Sequence, residues 1–307
     1  MEVRQLEYVV AIADTKSFTK AAERCHTAQS ALSHQIARLE SQLGSRIFER
    51  TSRNVTLTEA GHVLLPYARK ILNDVADARC ELMELDGMVS GRLRLGMTQT
   101  AVRTLDLVSI LGQYSRAQPE IELSLMSGPS AELFSLLTRG QLDLAVTALG
   151  VEGVPHGLDY RTLIDTERLV AVLHAGHRLI RRKRVGILEL ASTGKFIDFR
   201  EGTGLRNRVD EMFRVADVSR EVAFELGEIR EMVKFAAHGL GVAIVPRSFT
   251  EGPDATLLED LGAGVISIQD PFAALSIGVF TETNRSLPAV RTFLRMLGVS
   301  AEVRATN

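Results

Sequence analysis

Tryptophan is absent from this sequence of 307 residues, cysteine occurs twice, and aromatic residues make up only 5%. Each shortage closes a class of function. With so few rings, a stacking platform for single-stranded nucleic acid is not expected. Cys25 and Cys80 are too few and too far apart for a disulfide framework or a metal knuckle, which fits a reducing compartment. No apolar run approaches the roughly 18 residues of a membrane span, and the opening MEVRQLEYVV lacks the basic-then-apolar layout of a signal peptide. The expectation is a cytoplasmic protein with no membrane partner. Catalytic signatures are missing too: there is no G-x-S-x-G, no H-E-x-x-H and no P-loop. Gly202-Thr203-Gly204 opens like a dinucleotide fingerprint, but Asn207 stands where the third glycine is needed. His174 and His177 form the one close histidine pair and read as a turn, not a metal site. Neither an enzyme nor a cofactor is expected.

What is present is an ordinary globular balance, with 45% hydrophobic and 24% charged residues. The length argues for two or three domains. A net charge of −2 looks uninformative for a nucleic-acid partner. Regional counting changes that, because residues 1–58 hold eight bases against six acids while the rest of the chain is acidic. Five of those bases fall between Arg24 and Arg53, against two acids. Positive charge gathered in one short stretch is the footprint that phosphate binding requires.

That stretch reads as short helices. Val3, Leu6, Val10 and Ala13 recur at helical spacing, and Ser17 can cap a second helix burying Phe18, Ala21, Ala22 and Cys25. A third carries Leu32, Ile36, Leu39 and Leu43 on one stripe and stops at Gly44. Two short helices, the second with an unburied polar face of Gln29, Ser30, Ser33, His34 and Arg38, describe a helix-turn-helix. Residues 48–57 read as a small wing. Beyond Thr58, a candidate cap, Leu64, Ala68, Ile71, Val75, Ala78, Leu82, Leu85 and Val89 step by fours and threes. This heptad seam asks for a partner helix, the alternative being a helix packed on its own domain. Pro66 inside it predicts a kink or a weakly paired start.

From Gly91 the texture changes to alternating strands and helices. Strands are expected at 93–97, 121–125, 142–147, 169–173, 195–199, 221–225, 242–245, 265–268 and 275–280. Such alternation predicts parallel sheets covered by helices, with ligands beyond the carboxyl ends of the strands. About 215 residues is long for one such unit, so two lobes are expected.

These residues carry a family resemblance over essentially the whole chain. Leu6, Ser17-Phe18 before Ala21-Ala22, Gln29, Ala31-Leu32-Ser33, Ile36, Leu39-Glu40, Leu43-Gly44, Phe48, Arg50, and Leu57-Thr58 with Gly61 resemble the DNA-binding end of LysR-type bacterial transcriptional regulators. The runs 140–145 and 239–246 are similar to the punctuation of that family's sensor. The resemblance implies an α/β protein: a winged helix-turn-helix over 1–58, a coiled-coil linker over 59–90, and a periplasmic-binding-protein-like sensor over 91–307. Its first lobe would take residues 91–161 and 268–307, its second 162–267. It further implies a homodimer or homotetramer on double-stranded DNA, a small-molecule effector, and RNA polymerase as a further candidate partner. The family commonly has Ser then Gln-Pro at the start of its recognition helix, where this chain has Ala28-Gln29-Ser30, leaving Thr27 as the candidate cap.

Gln29, Ser30, Ser33 and His34 are the candidate base readers, since Gln pairs bidentately with adenine and hydroxyls reach base edges. Arg38, Arg50 and Arg53, with Thr56 on the wing, are candidates for holding phosphates or the minor groove and setting register, and Ser17 and Thr27 are further DNA-binding candidates. In the sensor, Thr98, Gln99 and Thr100, then Gly128, Pro129 and Ser130, then Thr147 follow successive strands, which places small polar groups around one cleft. Facing them, Phe199, Arg200, Gly202 and Thr203 run into a helix N-terminus that favours an anion. A carboxylate-bearing metabolite is therefore expected, with Thr100 and Thr203 as hydrogen-bonders and Arg200 as counter-charge. The plain alternative makes Thr203 a helix cap and Arg200 a surface residue. The basic run from Arg178 to Arg184 reads better as a solvated loop than as a second nucleic-acid site. Two other functions remain to be weighed: a cysteine-based redox regulator, and an enzyme on a binding-protein scaffold, for which no acid, base or nucleophile set is evident.

Overall fold

A computed structural model describes residues 1–50, 55–85, 91–283 and 287–299. The chain divides into two compact units, the first built on residues 1–91 and the second on most of the remainder.

The first unit contains α1 (Val3–Thr15), α2 (Phe18–Arg24), α3 (Gln29–Leu43), a two-stranded wing of β1 (Phe48–Arg50) and β2 (Val55–Leu57), and the 27-residue α4 (Glu59–Leu85). Its core joins Val9, Ile12, Ala21, Leu32, Ile36, Leu39, Ile47 and Phe48, and each large aliphatic among them contributes about 1.5–3 kcal/mol by leaving water. The buried face of α1 is not the predicted one. Leu6, Tyr8, Val9, Ala11 and Ile12 point inward and Val3 is exposed. Apolar residues surround this helix, so periodicity leaves its rotation open and packing against three neighbouring helices decides it. Leu43, assigned to the buried stripe of α3, is also exposed, because Gly44 turns left-handed at φ 67° and ends the packed surface.

Local hydrogen bonds hold the wing in place. Glu40 Oε1 accepts from the backbone N–H groups of Ile47 and Phe48 at 2.8 and 3.2 Å. The Thr58 hydroxyl donates to the Arg46 carbonyl at 2.6 Å and accepts from Gly61 N at 3.0 Å, so it caps α4 while closing the wing. A Cβ at position 61 would lie 2.2 Å from the Ile47 carbonyl oxygen, which is why only glycine fits there. Asp14 on α1 pairs with both Arg24 of α2 and Arg69 of α4. Helix α4 runs from Glu59 to Leu85 with Pro66 inside it. Of its described residues only Gly61 and Ala68 are buried, whereas Leu82 and Leu85 are 64% and 83% exposed. Val89, the last position of the proposed seam, lies outside the described residues.

The second unit begins with β3 (Gly91–Met97), α5 (Gln99–Thr104), α6 (Leu107–Ala117), β4 (Ile121–Ser127), α7 (Ser130–Thr138) and β5 (Leu144–Ala148). The 17-residue β6 (Leu158–His174) follows, of which only the end was expected. After it come β7 (Arg184–Val185), α8 (Ile187–Ala191), β8 (Lys195–Phe199), α9 (Gly204–Val215), β9 (Glu221–Leu226) and α10 (Ile229–Ala237). The chain then forms β10 (Val242–Pro246), α11 (Pro253–Asp260), β11 (Ala263–Ile268), β12 (Ala274–Glu282) and α12 (Pro288–Met296). Strand β6 explains the two lobes. Its residues Leu158 to Arg168 pair antiparallel with β12, and from Leu169 onward it pairs with β10 and β11 instead. The exchange of partners falls between Arg168 and Leu169, inside the segment assigned to the second lobe. The antiparallel first half of β6 was not expected because polar residues such as Thr162, Asp165 and Thr166 interrupt its apolar pattern. Parallel pairs β3 with β5, β8 with β10 and β8 with β9 make up the expected part of the architecture.

Candidate functional site

The turn before α3 shapes its exposed end. Its N-cap is Ala28, and no side chain caps the helix; Thr27 does not take that role, since it stands one residue before the cap position, its N–H bonded to the Ala22 carbonyl at 3.0 Å. Gln29, Ser30 and His34 lie on the exposed face, Ser33 half-buried beside them, and Arg38 one turn further on, 3.8 Å from Glu2 in a surface pair that contributes little. Ser17 caps α2, accepting from Lys20 N at 3.3 Å. On the wing, Thr56 is exposed and the Arg50 guanidinium stacks 4.0 Å above the Phe18 ring. Arg53 lies outside the described residues. The structure therefore brings the polar side chains of α3 onto one convex, solvated face.

The sensor presents the opposite kind of surface. A cleft of about 400 Å³ lies at the strand ends between its two halves. Thr98, Gln99, Thr100, Gly128, Pro129, Ser130 and Thr147 line one wall, and Phe199, Arg200 and Thr203 the other. Gly202 is the exception, opening instead onto a neighbouring cavity with Asn207 and Asp210. Its left-handed backbone turns it away as the chain enters α9.

Hydroxyls on these walls differ in what they bond. Ser130 and Thr147 are 2.8 Å apart and satisfy each other. Thr98 caps α5, accepting from Ala101 N at 3.4 Å. Thr203 donates to the Arg200 carbonyl at 2.7 Å and accepts from Arg206 N at 3.3 Å, so the plain capping role is observed for it. Thr100 is 6% exposed, and among the described residues its hydroxyl has no hydrogen-bond partner. Gln99 bridges the walls, donating through Nε2 to the Gly227 carbonyl at 3.0 Å. The Arg200 guanidinium lies over Gly227, where a Cβ would come within 3.0 Å of it, and it has no carboxylate partner among the described residues.

The wall behind Arg200 is stiffened by charge. Asp198 is buried between Arg220 and Arg206, and Arg220 also packs 4.7 Å from the Phe213 ring. Burial pushes the Asp198 carboxyl up from its ordinary range while the two guanidinium groups pull it down. Residues of the cleft not singled out from the sequence include Ser127, Glu132, Gly227 and Glu228. The last two follow β9, so the strand-end rule could have found them. The N-termini of α7, α9 and α10 all border the cleft, which gives it a bias toward anions, opposed at the rim by Glu132 and Glu228.

Residues 3–62 match the bacterial regulatory helix-turn-helix protein, lysR family, and residues 86–300 match the LysR substrate binding domain. The chain belongs to the LysR family. It is 31% identical to the HTH-type transcriptional regulator YnfL of Escherichia coli K12, over 95% of this chain and 96% of that protein. It is 30% identical to the DNA-binding transcriptional dual regulator OxyR of the same strain, over 80% and 79%. Among solved structures, a full-length OxyR variant from Pseudomonas aeruginosa superposes with TM-score 0.73 at 23% identity, covering 98% of this chain and 96% of that one. Full-length CbnR complexed with its target DNA gives 0.66 at 21%, covering 97% and 99%. As a LysR-type protein it is a DNA-binding transcriptional regulator carrying an effector-binding domain, and no helix among its described residues is long and apolar enough to cross a membrane.

Proposed function

We propose that this LysR-type regulator reads operator DNA with Gln29, Ser30, Ser33 and His34, holds the backbone with Arg38, Arg50, Arg53 and Thr56, and responds to a small carboxylate-bearing metabolite in the cleft. The observation that carries the effector half is the Thr100 hydroxyl, without a protein partner among the described residues, on the wall of a cleft bordered by three helix N-termini and Arg200. A hydroxyl on the cleft wall that bonds no protein group is free to donate to, or accept from, a ligand oxygen there. The metabolite's carboxylate lies toward Arg200 and the α9 N-terminus, and a donor on it meets Glu132 or Glu228.

Dimerisation supplies the affinity that one module lacks. With only +2 net charge over residues 1–58, a single module binds weakly and loses affinity steeply with salt. Pairing through the exposed apolar seam of α4 lets two modules engage two half-sites, raising affinity without new contacts. An effector then acts only through its differential affinity for two lobe arrangements, with the partner exchange in β6 as the hinge.

Footprinting on the DNA upstream of the protein's own reading frame, with candidate carboxylates added, tests both halves. A protected duplex whose pattern changes with one carboxylate is expected, and no protection at low salt sinks the proposal. Calorimetry then separates the residues: Thr100→Val weakens the active carboxylate, and equal affinity in the variant removes Thr100 from the site.

A peroxide-responsive regulator is the second reading, raised by the OxyR names among the relatives. Its difficulty is the placement of the thiols. Cys25 ends α2 and Cys80 lies on α4, so neither belongs to the effector-binding unit. Burial pushes both thiols up, which disfavours the reactive thiolate.

A further inference from the structure

A separate polar cavity, of about 810 Å³, lies where β6 exchanges partners and the chain crosses from β11 into β12. Arginines approach it from three elements. Arg168 is the last residue of β6 paired with β12, Arg184 lies on β7, and Arg247 follows β10. Ser267, Gln269 and Asp270 complete its polar lining. Three positive groups against one lining carboxylate leave an excess of two charges.

The arginines are not consumed by structure. Arg247 makes a loose exposed contact of 3.4 Å with Glu251 and donates to the Ser267 hydroxyl at 3.0 Å, which leaves that hydroxyl's own proton free. Among the described residues, the guanidinium groups of Arg168 and Arg184 have no hydrogen-bonding or ionic partner, only their backbones being engaged in the sheet. Uncompensated guanidinium groups around a concavity repel one another and attract anions, and their planar forks match the paired oxygens of a phosphate or carboxylate. The basic run ending at Arg184 is thus not wholly a solvated face, because its last member turns onto this cavity.

We propose that this cavity is a second ligand site, separate from the cleft, that takes a small dianion of phosphate or dicarboxylate chemistry between Arg168, Arg184 and Arg247. Its position gives binding a consequence. The ligand would join β6 at its partner exchange to β7 and to the segment leading into β12, so it favours one lobe arrangement and couples reciprocally to the cleft. The site does not rest on the effector reading of the cleft.

Calorimetry on the full chain with inorganic phosphate and, separately, malonate tests it, with acetate at matched ionic strength as the control. At least one dianion binds saturably at one site per chain, and acetate does not. Arg168→Gln and Arg184→Gln each weaken that binding about tenfold, the loss expected for one charge-assisted contact, while Thr100→Val leaves it unchanged. Both arginines are exposed, so unaltered melting without ligand shows that the variants fold. Failure of both dianions to saturate, or equal affinity in the arginine variants, overturns the proposal. Weaker operator binding in those variants without any dianion binding would assign the face to DNA and overturn it as well.

Discussion

The convex face of α3 and the concave sensor cleft hold their polar groups in opposite states. On α3, Gln29, Ser30 and His34 are solvated, and they lose little by waiting for a partner. In the cleft, Ser130, Thr147, Thr203 and Thr100 are nearly dry, and all but Thr100 already bond to protein. Water serves as the resting partner on α3, whereas the cleft has to satisfy its own hydroxyls. A cleft hydroxyl left over is therefore a sharper pointer to a ligand than an exposed polar residue is.

The seam of α4 offers the largest effect by which to break this comparison. Leu82→Asp with Leu85→Asp places charge on the exposed apolar edge, and operator affinity in gel shifts should fall about 100-fold as pairing is lost. Calorimetric affinity in the cleft should not change; a variant that remains dimeric in sedimentation would show that α3 does not depend on this seam. Next in size is Gly61→Ala, which forces a Cβ against the Ile47 carbonyl and should cost the first unit about 3 kcal/mol in denaturant unfolding. The sensor's transition should be unmoved, and a shift of both would mean that the two regions do not fold separately.

A smaller change sharpens the comparison inside the cleft. Thr203→Val removes a helix cap and should cost about 1 kcal/mol of sensor stability. Its effect on ligand affinity should be smaller than that of Thr100→Val, since the Thr203 hydroxyl is already engaged; the reverse order would make Thr203 the principal contact. The smallest expected effect is none. Cys25→Ser with Cys80→Ser should keep operator binding and response, and loss of response to peroxide in that variant would move the sensing chemistry out of the cleft. Thiol alkylation of the wild type should accelerate only as pH rises above the ordinary thiol range, because both groups are pushed up.

Much of the cleft was legible because strand ends and helix starts announce themselves locally. Thr98, Gly128 and Thr203 each sit where a strand run meets a cap, and a ligand site at the ends of parallel strands follows from topology alone. Gly202 was misplaced because adjacent residues at a tight turn face different cavities, a matter of backbone angle that spacing does not encode. Gly227 and Glu228 went unremarked although they follow β9, because the bond that ties Gly227 into the cleft comes from Gln99, 128 residues away in sequence.

By itself the sequence determined the winged helix-turn-helix, the heptad seam and most strands of the sensor. Caps, periodicity and turn residues act within a few positions of one another, so the chain states them directly. Only the tertiary structure decided which face of α1 is buried, that β6 belongs to both lobes, which threonine in the cleft is left without a protein partner, and that Arg168, Arg184 and Arg247 share one cavity. Each of these depends on contacts between segments remote in sequence, and side-chain pattern constrains such contacts only weakly until the sheet is assembled.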